Sequence, residues 1–273
     1  MDRRPMKHPV APPANPTVGG RNRVIFKSKP LTGIMSEEYF DLANAHHFWC
    51  RRRFDVLQKL AGEKLRGAGS VAEIGCGNGV LQQQFEDAYG VAPDGFDLHE
   101  QALSHSVARS GKVYCYDIHD RAPEFCGAFD LLLMFDVLEH IQDEDSFLAS
   151  AAYHLAKGGT VILNVPALPW LFSGYDTVQG HQRRYSLKMI RAVAKKNGFR
   201  IRGLTYWGSP LVPILALRTA ILAVAKPGLN RYSTGFDPRN DFLNTCLYHL
   251  SRLELVSQLV VGTSIMAVLE VDD

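Results

Sequence analysis

The stretch Val71-Ala72-Glu73-Ile74-Gly75-Cys76-Gly77-Asn78-Gly79 decides how this chain folds. A short apolar run carries one acid and ends in glycines at alternate positions, after which residues 80–89 have the composition of a helix. Glycines spaced in this way let a turn close tightly and let the backbone approach a ligand, because no Cβ intervenes. Strand, glycine turn and helix in that order predict the first unit of an open α/β sheet with a nucleotide-sized cradle at its edge. The spacing departs from the dinucleotide fingerprint G-x-G-x-x-G, since Val80 stands where the last glycine would fall.

Similar units follow. Gly95-Phe96-Asp97-Leu98 is a second strand signal whose acid falls about twenty residues past the glycines, where a carboxylate accepts hydrogen bonds from ribose hydroxyls. Asp97 thus predicts an adenosine cofactor without choosing among such cofactors. Lys112-Val113-Tyr114-Cys115-Tyr116-Asp117-Ile118 is a β-rich run with an acid near its end, and 129–135 is a continuous apolar run that suits a parallel strand covered on both faces. A helix from about 145 to 155 is expected to stop at Gly158-Gly159, with a strand at 160–165 behind it. Ser186 reads as the N-cap of a helix with Leu187, Ile190 and Val193 on one face and Lys195 and Lys196 in its last turn. Strands at 199–206 and 264–271 complete the pattern, the last being antiparallel. The repeated units predict an α/β fold, a doubly wound, seven-stranded, mostly parallel sheet.

Glu73, Gly75, Gly77 and Gly79 fit the motif E-x-G-x-G-x-G without a gap, and Asp136-Val137-Leu138-Glu139-His140 fits D-x-L-E-H. In both, the chain resembles the class I S-adenosylmethionine-dependent methyltransferases, within them the small-molecule enzymes of types 11 and 12. The resemblance implies a Rossmann-like fold and S-adenosyl-L-methionine as cofactor. It places Gly75, Cys76, Gly77 and Gly79 along the methionine moiety with Glu73 at its amino group, Asp97 and Leu98 at the ribose, and Asp117 near the adenine amine with Ile118 on the ring. Phe135 and Asp136 would floor the pocket. His47, Trp49 and Arg53 match an H-x-W-x-x-x-R segment of the same enzymes, which offers Arg53 to the cofactor carboxylate and Trp49 to the acceptor. Asp176, Gly180-His181 and Arg183-Arg184-Tyr185 match D-x-x-x-G-H-x-R-R-Y, which implies that Tyr175, Asp176, His181, Arg184 and Tyr185 meet the acceptor. An imidazole titrates near neutrality, so His140 and His181 are the candidate general bases, with Asp136 and Asp176 behind them.

The remaining sequence bounds the reading. With 273 residues there is chain enough for one large core, and a net charge of +2 carries no message about partners. Residues 1–35 hold seven Lys or Arg against Asp2 and are proline-rich towards the start, which predicts a disordered basic tail. The expected division is then a helical cap at 36–66, the cofactor-binding core at 67–207, a helical insertion at 208–263 and the last core strand at 264–273. Strongly apolar but interrupted by Arg218, the insertion suits a lid over the acceptor, a homodimer surface or peripheral membrane contact. Five cysteines without a C-x-x-C pair suit reduced thiols in a cytoplasmic protein. No linear zinc spacing occurs, so no metal is expected. The fourth strand is not followed by N/D-P-P-Y/F, which argues against nucleic acid as substrate. The expected acceptor is a small molecule, a glycan or a lipid-linked group, methylated on oxygen or nitrogen. A non-catalytic cofactor-binding or scaffold protein on the same fold and an NAD-dependent dehydrogenase are the alternatives.

Overall fold

The computed structural model describes residues 24–31, 44–224, 240–256 and 258–271. Most of the expected tail, the cap residues 36–43 and the middle of the insertion lie outside the described residues. The elements in chain order are β1 (Ile25–Phe26), α1 (Phe48–Gly67), β2 (Val71–Ile74), α2 (Val80–Tyr89), β3 (Asp94–Asp97), α3 (Glu100–Ser104), β4 (Val113–Cys115), β5 (Phe129–Phe135) and α4 (Glu144–His154), then β6 (Leu155–Pro166), α5 (Gly174–Val178), α6 (Leu187–Lys196), β7 (Phe199–Trp207), α7 (Val212–Val224), α8 (Asp241–Ser251) and β8 (Ser264–Val271).

Strand β5 shows why the sheet is covered on both sides. Successive side chains of a strand point to opposite faces. Leu131, Leu133 and Phe135 accordingly pack with Val56, Leu57 and Leu65 of α1 and Phe85 of α2. Leu132 and Met134 enter the opposite core with Phe147 and Leu148 of α4 and Ile190 of α6. An apolar run with no polar alternation is what two apolar faces require.

The sheet has the order β1-β4-β3-β2-β5-β6-β8-β7. Pairing is parallel from β1 to β6. Strand β8 runs antiparallel between β6 and β7, as expected of the last strand. The Rossmann-like α/β arrangement read from the sequence is therefore present, with the carboxyl ends of β2, β3, β4 and β5 along one edge.

The strand count differs from the seven expected, because the described sheet has eight strands. The extra strand is β1, which falls inside the segment read as tail. It is held by Lys27 and Ser28 backbone N–H groups donating to the Cys115 carbonyl at 2.9 and 3.0 Å. The Ser28 hydroxyl adds a bond to Asp120 at 2.6 Å and one from the Asp117 amide at 2.8 Å.

Two boundaries also move. Helix α4 ends at His154, with Leu155 already extended, so Gly158 and Gly159 lie inside β6 rather than stopping the helix. The register across β5 and β6 jumps from Leu155 opposite Phe129 to Thr160 opposite Leu131, and Gly158, at φ +73°, accommodates that detour. In the insertion, expected to be helical over 208–263, the second helix α8 already closes at Ser251. Glu254 then turns inward to meet Arg52 of α1 at 2.9 Å, a pair that is almost fully buried.

Candidate active site

The glycine turn is built so that a side chain cannot be added to it. Gly75 lies at φ +72°, and a Cβ there would stand 2.3 Å from Val137 Cγ2. Gly77 and Gly79 also have positive φ, and Gly79 is the N-cap of α2. Asp97, at the end of β3, ties the turn to its own strand: one carboxylate oxygen accepts the Gly77 N–H at 2.8 Å and the other the His99 N–H at 2.8 Å.

Glu73 sits beneath this turn, 4% exposed, and its Oε2 has no hydrogen-bond partner. Burial pushes its carboxyl up to about 8, with Asp97 and Asp136 adding to the shift and Arg53 opposing it. A buried acid left unpaired is costly, and a cationic group is what would satisfy it. A glycine cradle closed to any Cβ and a buried carboxylate with one oxygen unpaired fit the ammonium end of S-adenosylmethionine.

Beside Glu73, Arg53 reaches from α1 to Asp136, with Nη1 at 2.6 Å from Oδ2 and the guanidinium 5.1 Å from the Phe135 ring centre. Asp136 has φ +58°, a strained conformation for a residue with a side chain. Its backbone N–H bonds to Asn164 O at 2.9 Å, and its Oδ1 accepts from Asn164 Nδ2 at 2.7 Å. Trp207 Nε1 donates to Asn164 Oδ1 at 2.8 Å, and Trp49 packs on Trp207 with ring centres 4.4 Å apart. Asp136 was expected behind His140; it is instead committed to Arg53 and Asn164, because its unusual backbone turns the carboxylate towards β6 and α1.

The histidines come from two loops. His140 lies in a short 3-10 turn after β5 (Leu138–His140), and His181 follows α5. Their ring centres are 4.9 Å apart, edge to face. His181 Nδ1 bonds to Asp176 Oδ1 at 2.9 Å, and Arg184 Nε donates to the same oxygen at 2.7 Å. Burial opposes ionisation of Asp176, but His181, Arg184 and the Ser173 amide together hold its carboxyl below the usual range. His140 is shifted the other way, lowered by burial first and then by the neighbouring His181.

Tyr185 and Asp176 were expected to touch the acceptor, and the structure corrects both. Tyr185 is fully buried, its hydroxyl 2.5 Å from Glu144 and 3.1 Å from the Leu138 carbonyl, so it fastens the loop to the turn that carries His140. Asp176 is fully buried under His181 and Arg184, with its second oxygen accepting the Ser173 N–H at 2.9 Å.

A cavity of about 430 Å³ joins these parts. Its lining includes Glu73, Gly75, Cys76, Arg53, Phe135 and Asp136 around the glycine turn, Trp49, His140, Tyr175, His181 and Arg184, and Leu211, Leu215 and Arg218 from the insertion. Gly77, Gly79, Asp97, Leu98, Asp117 and Ile118 lie outside this lining. Leu98 packs near Cys76 and Leu103, Ile118 is buried in the main core, and Asp117 accepts from the His119 amide at 2.9 Å at the end of β4. Burial raises the Cys76 thiol well above its ordinary range, in keeping with packing rather than reactivity.

Asn164, Trp207 and Arg218 carried no functional reading in the sequence. A lone Asn inside the apolar run of β6 is the one signal that could have found the first, since a buried amide needs partners. Linear spacing also hid a grouping of Glu139, His140 and His181, whose ligand atoms all lie within 4.8 Å of one another. Glu139 is 1% exposed, and burial, then Asp136, holds its carboxyl well above the usual range.

A family model described as a methyltransferase domain matches residues 42–204. The chain therefore belongs to the methyltransferase-domain family. It is 31% identical over 149 residues to the ubiquinone biosynthesis O-methyltransferase of Thiobacillus denitrificans, covering 52% of this chain and 55% of that protein. The enzyme of the same name from Aromatoleum aromaticum is 34% identical over 138 residues, covering 44% of this chain and 57% of its own. The chain spans about half the length of these relatives. Among solved structures, a SAM-dependent methyltransferase from Archaeoglobus fulgidus aligns with TM-score 0.53 at 14% identity, over 86% of this chain and all of that one. The Haemonchus contortus phosphoethanolamine N-methyltransferase 2 in complex with S-adenosyl-L-methionine aligns with TM-score 0.52 at 20% identity, over 82% of this chain and 53% of that one. These two likenesses are of fold.

Proposed function

We propose that the protein transfers the methyl group of S-adenosyl-L-methionine to an oxygen of a small-molecule acceptor. The observation that carries this reading is a single cavity with a buried carboxylate, one oxygen of it unpaired, under a glycine turn at one end and a carboxylate-backed imidazole at the other. When bound, the cofactor supplies a methyl group already activated by a sulfonium. What this chain must add is placement and proton removal.

Glu73 and the glycine turn hold the methionine end, Asp97 the ribose, and Arg53 is within reach of the cofactor carboxylate once it shares its bond with Asp136. Asp176 fixes the tautomer and direction of His181 through Nδ1, leaving Nε2 as the group able to take a hydroxyl proton. Holding the nucleophile in line can supply several kcal/mol, about 7–11 at the upper limit. Leu211 and Leu215 add apolar surface to the lining of the site. The O-methyltransferase names of the relatives support oxygen over nitrogen.

The insertion also presents apolar side chains outward: Leu217 is 63% exposed, Ile221 53% and, on the loop after β6, Trp170 66%. They favour an acceptor delivered from an apolar phase, with the insertion as a peripheral contact. No helix among the described residues is long and apolar enough to cross a membrane.

Purified protein incubated with methyl-labelled cofactor and fractionated cell extract tests the reading. Label should enter an organic-soluble product by an alkali-stable ether bond. Saturable cofactor binding with no transfer to any fraction would contradict it.

A further inference from the structure

Within the apolar run of β6, Asn164 carries an amide that is fully buried. Its neighbours settle which way that amide faces. An indole N–H can only donate, so Trp207 Nε1, 2.8 Å away, takes the Asn164 oxygen. The NH2 group is thereby turned to Asp136, whose Oδ1 accepts it at 2.7 Å. Trp207 is itself confined. Its ring packs on Trp49, and Gly262 presses on its backbone so closely that a Cβ there would stand 2.3 Å from the Trp207 carbonyl oxygen.

Asp136 needs such support, because a residue with a side chain keeps a φ of +58° only where its surroundings enforce it. Asn164 supplies two of the bonds that do so: its carbonyl accepts the Asp136 N–H at 2.9 Å, and its amide donates to Oδ1. With Oδ1 engaged, Oδ2 meets Arg53 Nη1 at 2.6 Å. Arg53 lines the cavity beside Glu73, and its Nε is buried without a hydrogen-bond partner. A buried N–H left unmade is costly, and an anionic oxygen is its natural complement. Asn164 lies behind the cavity wall, so it acts on a ligand only through Asp136 and Arg53.

We propose that Asn164 is a positioning residue for the amino-acid end of the cofactor: oriented by Trp207, it fixes Asp136 against Arg53 and so keeps the Arg53 guanidinium, with its unpaired Nε–H, where the cofactor carboxylate binds. This deepens the methyl-transfer reading and rests on it for the identity of the ligand. The adenosine end, assigned to Asp97 on β3, stands outside this chain of bonds, so the effect of Asn164 is confined to the amino-acid end.

That confinement is the test. S-adenosylhomocysteine and methylthioadenosine share the nucleoside and the thioether, but only the first carries the amino and carboxyl groups. Both are titrated calorimetrically into the full chain and into Asn164→Asp, which keeps the shape and the acceptor for Trp207 but replaces the N–H donor facing Asp136 with an oxygen. The variant should lose about tenfold or more in affinity for S-adenosylhomocysteine and less than about twofold for methylthioadenosine. Equal losses for the two ligands, which a merely structural role would give, or no loss for either, would overturn the proposal. Should Asn164→Asp fail to melt cooperatively, Trp207→Phe carries the same comparison, with a smaller loss of about two- to fivefold again confined to S-adenosylhomocysteine. A wild-type chain that binds neither ligand would count against the methyltransferase reading. The present proposal is then judged by the Arg53 Nε–H signal in NMR, identified by its absence from Arg53→Lys: it should be slow to exchange in the wild type and broadened in Asn164→Asp, and an unchanged signal would overturn it.

Discussion

The glycine turn after β2 and the insertion between β7 and β8 face each other across one cavity, yet they are held in place by different kinds of interaction. The turn is fixed by backbone: positive φ at Gly75, Gly77 and Gly79, and amide bonds to Asp97. The insertion is fixed by side chains on α1. Arg51 stacks on Tyr248 at 3.8 Å, Tyr248 bonds to Asp55 at 2.8 Å, and Arg52 pairs with Glu254, which also accepts the Gly208 and Ser209 amides at 2.8 and 2.7 Å. Three successive arginines thus serve three purposes, since Arg53 turns to Asp136. The comparison teaches that the end built from backbone constrains which cofactor fits, whereas the end built from side chains is free to set the acceptor.

That contrast can be broken at several points. The largest effect is expected for His181→Ala, which should lower kcat by about 10²- to 10⁴-fold with little change in cofactor affinity, measured by single-turnover transfer and calorimetry. A comparable loss of affinity would place His181 at the wrong end. Glu254→Ala leaves Arg52 buried without its partner and should destabilise the fold by about 3–5 kcal/mol in a denaturant titration. A cost below about 1 kcal/mol would mean that the insertion is not anchored through this pair.

Glu73 gives a pH prediction with a definite sign. Its folded pKa, about 8, is raised above the ordinary carboxylate value near 4.5, so its contribution to stability is fully present below that lower value and is lost as pH rises through about 8. The ligand-free protein should lose this contribution across that window, and Glu73→Gln should flatten the curve. A cofactor ammonium favours the ionised acid, so binding should release a proton in the same window. Calorimetry in buffers of different ionisation heat reads that release directly, and an identical heat in all buffers would sink the assignment. Smaller still, the His140 ring should titrate below the ordinary histidine value, because burial and then His181 lower it, and in His181→Asn that titration, followed by NMR, should move upward.

The fold was legible wherever a local pattern was sufficient. The helices at 80–89 and 187–196 and the strand at 264–271 follow from periodicity and caps such as Ser186, whose hydroxyl bonds to the Met189 amide at 3.3 Å. Elements decided by a distant partner were not legible. Strand β1 depends on the Cys115 carbonyl, the end of α8 on Arg52, and the course of Gly158 on a register shift opposite β5. The site divides similarly. Glu73 and the glycines announce themselves by spacing, whereas the partner of Asp136, the burial of Tyr185 and the arrival of Arg218 depend on which loops meet in space.

The central claim is that the glycine turn and the carboxylate of Asp97 jointly bind an activated methyl donor, and calorimetric titration of S-adenosylmethionine into the wild-type chain and Asp97→Ala tests it most directly. Saturable one-to-one binding, weakened about ten- to a hundredfold in the variant while its thermal unfolding remains cooperative, is the predicted result. Equal affinity in the two proteins, or no heat of binding to the wild type, would contradict it.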